Sequence, residues 1–148
     1  MIIDKTLFVG KRITGIIYDK ETLSWFFDFD SDKYIRINVP WRLTDKTKIL
    51  RASGDEGQIY GLPKPIDVAK DVMCLLKNKT ITDFTTDEIT ADLIFELDGN
   101  LKIQTFGDSI GYEAWEIESR KRGGEEYVGQ SSRVREIKPE QIIYGDKE

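Results

Sequence analysis

The chain has 148 residues, with 22 Lys and Arg against 27 Asp and Glu, and a formal charge of −5. With 39% apolar and 33% charged residues it is too apolar for a disordered segment, and it is long enough for one domain to bury a core without a disulfide or metal staple. The acid excess argues against a phosphate-backbone binder, and no apolar run is longer than Val72–Leu76, too short to span a bilayer.

The opening, Met1-Ile2-Ile3-Asp4-Lys5, has neither the basic region nor the apolar core of a secretory signal. Together with a single cysteine, Cys74, this gives the expectation of a cytoplasmic protein in a reducing compartment. Two strands follow, Arg12–Tyr18 and Leu23–Asp30, and alternation puts Trp25, Phe27 and Phe29 on one face. Asp28 points the other way, with Arg36 expected across from it. A turn at Asp30–Lys33 leads to a return strand containing Ile35–Asn38. Asp28-Phe29-Asp30-Ser31-Asp32 has the opening of a calcium loop. Lys33 and Val39 stand where such a loop needs Gly and a bidentate Glu, so an aspartate-rich turn is the better reading.

Residues Ile49–Tyr60 read as a short hairpin. A helix over about 65–77 comes next, with Pro65 at its first position and Ile66, Ala69, Val72, Met73 and Leu76 at helical spacing. Cys74 in that stretch reads as a packed core thiol. Residues 79–98 then align without a gap on residues 11–30, with seven of twenty positions identical, including Phe27/Phe95 and Asp30/Asp98. Unrelated segments would match at about one position. A duplication is inferred, with Ile35–Asn38 matched to Leu101–Gln104 across a two-residue length difference. The expected fold is therefore α+β, a single domain over 1–148 that is mostly antiparallel β. It comprises two repeated β-units, about 10–38 and 78–105, and one linking helix.

Between Thr80 and Leu101 there is no Lys or Arg, while Asp83, Asp87, Glu88, Asp92, Glu96 and Asp98 supply six acids. Asp92, Glu96 and Asp98 are expected to share the outward face of one strand, with Lys102 across from Glu96. A concentrated negative field of this kind steers a basic partner. Gly107-Asp108-Ser109-Ile110-Gly111 spells a nucleophile elbow, but the chain has no histidine to serve as base, so it reads as a loop. Ala114–Ser119 and Tyr127–Gln130 make a closing hairpin around the basic tip Arg120-Lys121-Arg122, with Trp115 and Ile117 turned inward as structural residues. Glu113 and Glu116, three apart on a strand, are expected on opposite faces and so unable to act as paired carboxylates. An apolar knot at Ile142, Ile143 and Tyr144 is expected to dock from the tail.

Tyr112-Glu113-Ala114-Trp115-Glu116 and Phe95-Glu96-Leu97-Asp98-Gly99 resemble motifs of a family of small uncharacterised bacterial proteins, a domain of unknown function. The resemblance covers roughly residues 8–130 and departs at Ser31, where the family prefers Gly. It implies two copies of a strand–hairpin unit and carries no established activity.

With no catalytic, metal or cofactor constellation evident, the sequence reads as a non-enzymatic protein-binding module. The concrete form is an immunity protein neutralising a basic, nucleic-acid-targeting interbacterial toxin through Asp83, Asp87, Glu88, Asp92, Glu96 and Asp98. Neither nucleic acid nor a membrane is an expected partner, and oligomeric state is left open. An adaptor of unknown partner, or a small carboxylate-dependent enzyme, is the alternative.

Overall fold

The structure is a computed structural model and describes residues 3–121, 124, 126–130 and 133–137. In chain order it shows β1 (Ile13–Asp19), β2 (Ser24–Phe29), β3 (Lys33–Ile37), β4 (Trp41–Thr44), β5 (Ile49–Ala52) and the helix α1 (Val68–Leu75). Then come β6 (Ile81–Thr86), β7 (Leu93–Leu97), β8 (Leu101–Thr105), β9 (Glu113–Ser119), β10 (Glu126–Gln130) and β11 (Arg133–Ile137). The described chain is thus mostly antiparallel β with one helix. One sheet has the order β1-β2-β3-β9-β10-β11 and the other β5-β4-β8-β7-β6. After β3 the chain crosses to the second sheet, where β4 pairs with β8. After β8 it crosses back, and β9 pairs with β3.

The inner faces meet in one core. Alternation turns Trp25, Phe27 and Phe29 of β2 and Leu93, Phe95 and Leu97 of β7 inward. Phe27 lies edge-on to Trp41 at 4.9 Å, and Phe29 stacks on Phe95 at 5.8 Å. Phe8, held by a short 3₁₀ turn over Lys5–Leu7, closes one end against Phe29, Phe84 and Phe95. Full burial of each such ring stabilises the fold by roughly 1.5–3 kcal/mol.

Several local features recur 68 positions apart. The β1–β2 ladder shifts register between Ile13 and Gly15, and the β6–β7 ladder between Ile81 and Asp83. Leu23 (φ 60°) and Ala91 (φ 62°) both enter their strands through the left-handed region. Asp30 accepts from the Arg12 amide at 2.8 Å, and Asp98 accepts from the Thr80 amide at 2.9 Å. Phe27 faces Ile35 as Phe95 faces Ile103, so the two turns have equal length and the expected two-residue difference does not exist.

Other expectations are corrected. The helix starts at Val68 and not at Pro65, because Asp67 caps it by accepting from the Lys70 amide at 3.1 Å and Glu56 takes the Val68 amide at 2.9 Å. Its inward positions are Val68, Val72 and Leu76, spaced by four, which leaves Cys74 exposed instead of packed. The hairpin expected at Ile49–Tyr60 lies earlier, over β4 and β5, because the Asp45 carboxylate accepts from the Thr47 and Lys48 amides and makes the turn there. Asp28 faces Tyr34 and not Arg36, and it pairs instead with Arg120, which lies over the Tyr34 ring while remaining exposed to solvent. The apolar knot at Ile142–Tyr144 lies outside the described residues. Among those described, no helix is long and apolar enough to cross a membrane.

Candidate functional site

β2 begins, β3 ends and β9 begins at one end of the molecule, as the facing residues Trp25, Ile37 and Trp115 show. The chain crossings bring the start of β7, the end of β8 and the start of β4 to that same end. The loops 20–23, 87–92 and 106–112 therefore gather there. They are tied together by the Trp115 indole, which donates to the Ala91 carbonyl at 2.7 Å, by the Gly107 amide on Asp92 at 2.6 Å, and by Gln130 on the Gly111 carbonyl at 3.0 Å.

A cleft of about 520 Å³ opens at this end, lined on the β2–β3 side by Thr22, Ser24, Arg36 and Asn38 and on the β9 side by Tyr112, Glu113 and Glu116. Its floor is fixed. Ser24, buried, donates to the Asn38 side chain at 2.7 Å, and Asn38 donates to the Glu113 carbonyl at 3.2 Å. Arg36 reaches Ser24 at 3.3 Å and Glu116 at 3.9 Å, with its guanidinium 5.7 Å from the Phe26 ring centre.

The expectation that Glu113 and Glu116 face opposite sides is overturned. Gly129 pairs with Trp115 but its neighbour Gln130 pairs with Glu113, so Ala114 is the extra residue of a bulge. Ala114 and Trp115 are both buried, and Glu113 is rotated onto the outer face beside Glu116, within hydrogen-bonding reach. Burial, then the Glu113 side chain and the charges of Glu118 and Glu113, raise Glu116 from 4.5 to about 7, opposed by Arg36. The adjacent buried positions were the signal available in the sequence: Ala-Trp breaks the apolar–polar alternation of the strand.

Different side chains stand at the positions 68 residues further on. Phe106 stands 68 positions after Asn38, and Arg42 stacks over its ring at 4.2 Å. Asp92 stands 68 positions after Ser24 and is buried, bonded to the Gly107 amide and, at 2.8 Å, to the Thr90 hydroxyl.

The six acids singled out by sequence stand in different surroundings. Asp92 is buried and committed, so it does not share an outward face with Glu96 and Asp98. Asp87 holds its own turn through the Ile89 and Thr90 amides, and Asp98 closes on Thr80. Asp83 pairs with Lys5 at 2.8 Å, and Glu96 stands opposite both Asp83 and Lys102. Glu88 is exposed on the loop that carries Ile89. Cations distant in sequence, Lys5 and Lys102, thus enter the field that the local sequence shows as purely negative.

The remaining motifs are structural. Ser109 accepts from the Gly111 and Tyr112 amides in a loop turn, and Asp32 accepts from the Ser119 hydroxyl at 2.5 Å. Among the described residues, no group of three or more His, Cys, Asp or Glu side chains is arranged to hold a metal. No family model, curated protein or solved structure matches the chain.

Proposed function

We propose that the chain is a non-enzymatic protein-binding module for a basic partner, in concrete form a cytoplasmic immunity protein that occupies a nucleic-acid-attacking toxin domain. One observation carries this reading. The loops gathered at one end expose large apolar side chains, with Leu23 at 67%, Ile89 at 77%, Ile110 at 89% and Tyr112 at 80% of full exposure. Soluble domains seldom leave such side chains uncovered together, and a cluster of them beside charged groups is the composition of a protein interface. Asp87 and Glu88 sit on the Ile89 loop, and the chain is net acidic. A toxin that attacks nucleic acid is basic where it binds phosphates, so the charges complement.

In this reading Asp83, Glu96 and Asp98 lie on the flank and steer the encounter, while the loop end makes the contact. Two copies of one β-unit form the frame, with the cleft beside the first copy lined by Arg36 and Asn38 where the second has Gln104 and Phe106. Membership of the small bacterial family that Tyr112–Glu116 resembles is part of the same proposal.

The test is stopped-flow association with a panel of basic nuclease-type toxin domains. Complex formation, with an association rate that falls steeply between low and high salt, is expected. A salt-independent rate, or no complex, contradicts the reading.

A further inference from the structure

We propose that the cleft between β3 and β9 is the receptor for one arginine side chain of the partner, its guanidinium held by Glu113 and Glu116 under the Tyr112 ring. The inference rests on the reading of this chain as a binder of a basic protein and adds the point at which it grips.

Glu113, Glu116 and Asp108 line the cleft against a single guanidinium, that of Arg36. Arg36 does not saturate them: it is shared with the Ser24 hydroxyl at 3.3 Å and stands 3.9 Å from Glu116. Two carboxyl groups placed side by side need a proton or a cation between them. Without a partner the proton serves, and Glu116 holds it to about pH 7. The groups that face Glu116 are Arg36 from β3 and Glu113 and Glu118 from β9, while β10 presents the uncharged Val128 across the ladder. A guanidinium entering the cleft replaces that proton, which leaves to solvent.

The shape selects arginine over lysine. Adjacent carboxylates offer acceptors in a fork that a planar guanidinium meets with two parallel bonds, and it sheds water more readily than an ammonium. Tyr112, at the mouth and 80% exposed, supplies a ring face for the cation. The cleft volume of about 520 Å³ lies within the range of ligand pockets. The bulge at Ala114 that builds the carboxyl pair, and the Ser24–Asn38–Glu113 chain beneath it, hold the site open without a ligand.

The test uses N-acetyl-argininamide as a single-guanidinium probe, N-acetyl-lysinamide for comparison, and a hexa-arginine peptide as a general basic chain. Binding is followed at low salt and pH 7 by amide and carboxyl NMR. N-acetyl-argininamide should shift the amides around Thr22, Glu116 and Gln130 saturably and lower the proton affinity of Glu116 roughly tenfold or more. Glu113→Gln and Glu116→Gln should each weaken it by roughly tenfold, with the lysine probe weaker than the arginine probe on the native chain. Glu136→Gln, an exposed carboxylate on the edge strand β11, should leave it unchanged. The carboxyl titration needs no variant, so a misfolded substitution does not spare the proposal. Absence of saturable cleft shifts with N-acetyl-argininamide overturns it, as do shifts that survive both Gln variants. If hexa-arginine then shifts only β6 and β7, the basic-partner reading stands without the cleft. Silence from both probes removes the two together.

Discussion

Trp115 and Gly129 face each other across β9 and β10, and the indole fills the space that a Cβ at position 129 would need. The glycine is there for close approach, since its φ is not in the left-handed region. Gly129→Ala should push the indole off its seat and cost about 1–3 kcal/mol, read from the urea midpoint. A wild-type midpoint would show that the ring has room.

Phe27 and Phe95 hold matching places and are almost wholly buried, at 0% and 1% exposure. Phe27→Ala and Phe95→Ala should each cost about 3–5 kcal/mol in chemical denaturation. Native-like stability in either would remove that ring from the core.

Trp41 and Trp115 are equally buried but differ at the indole nitrogen. Trp115 donates to the Ala91 carbonyl, whereas the Trp41 Nε1 has no hydrogen-bond partner among the described residues. Both Trp→Phe changes lose ring volume, but only Trp115→Phe strands a carbonyl, while Trp41→Phe removes a donor that was already unpaired. Trp115→Phe should therefore cost more, by about 1–2 kcal/mol. Equal losses in calorimetry would contradict this.

Glu116 carries a pH signature. Its folded pKa of about 7 exceeds the ordinary 4.5, so the folded state holds this proton more tightly than the unfolded state does. The stability it contributes is complete below about 4.5 and is lost as pH rises to about 7. The side chain is 24% exposed, so after allowance for solvent screening the loss is about 1–3 kcal/mol. Glu116→Gln should flatten that part of the stability profile. An unchanged slope in the variant would place the titration elsewhere.

The strands were legible wherever apolar and polar residues alternate, as in Trp25–Phe29 and Leu93–Leu97, because the period of two is imposed by the pleat. The closing hairpin and the inward Trp115 were legible for the same reason. The cleft was not. It depends on one bulged residue, Ala114, which changes which side chains share a face, and strand parity alone assigns Glu113 to the wrong side. Asp92 was misplaced for a different reason: it is outward by parity but precedes β7, and the loop folds it inward onto Gly107. Lys5 and Lys102 reach Asp83 and Glu96 through pairing that a linear charge count does not contain.

Hydrogen exchange of this chain, alone and with a basic nuclease-type domain that it binds, tests most directly whether the loop end is the contact surface. Protection on binding should appear in residues 20–23, 87–92 and 106–112 and at the start of β9, with β6 and the far end of β7 unchanged. Protection confined to 81–85 and 95–98, leaving the three loops exchanging as in the free chain, would contradict the account.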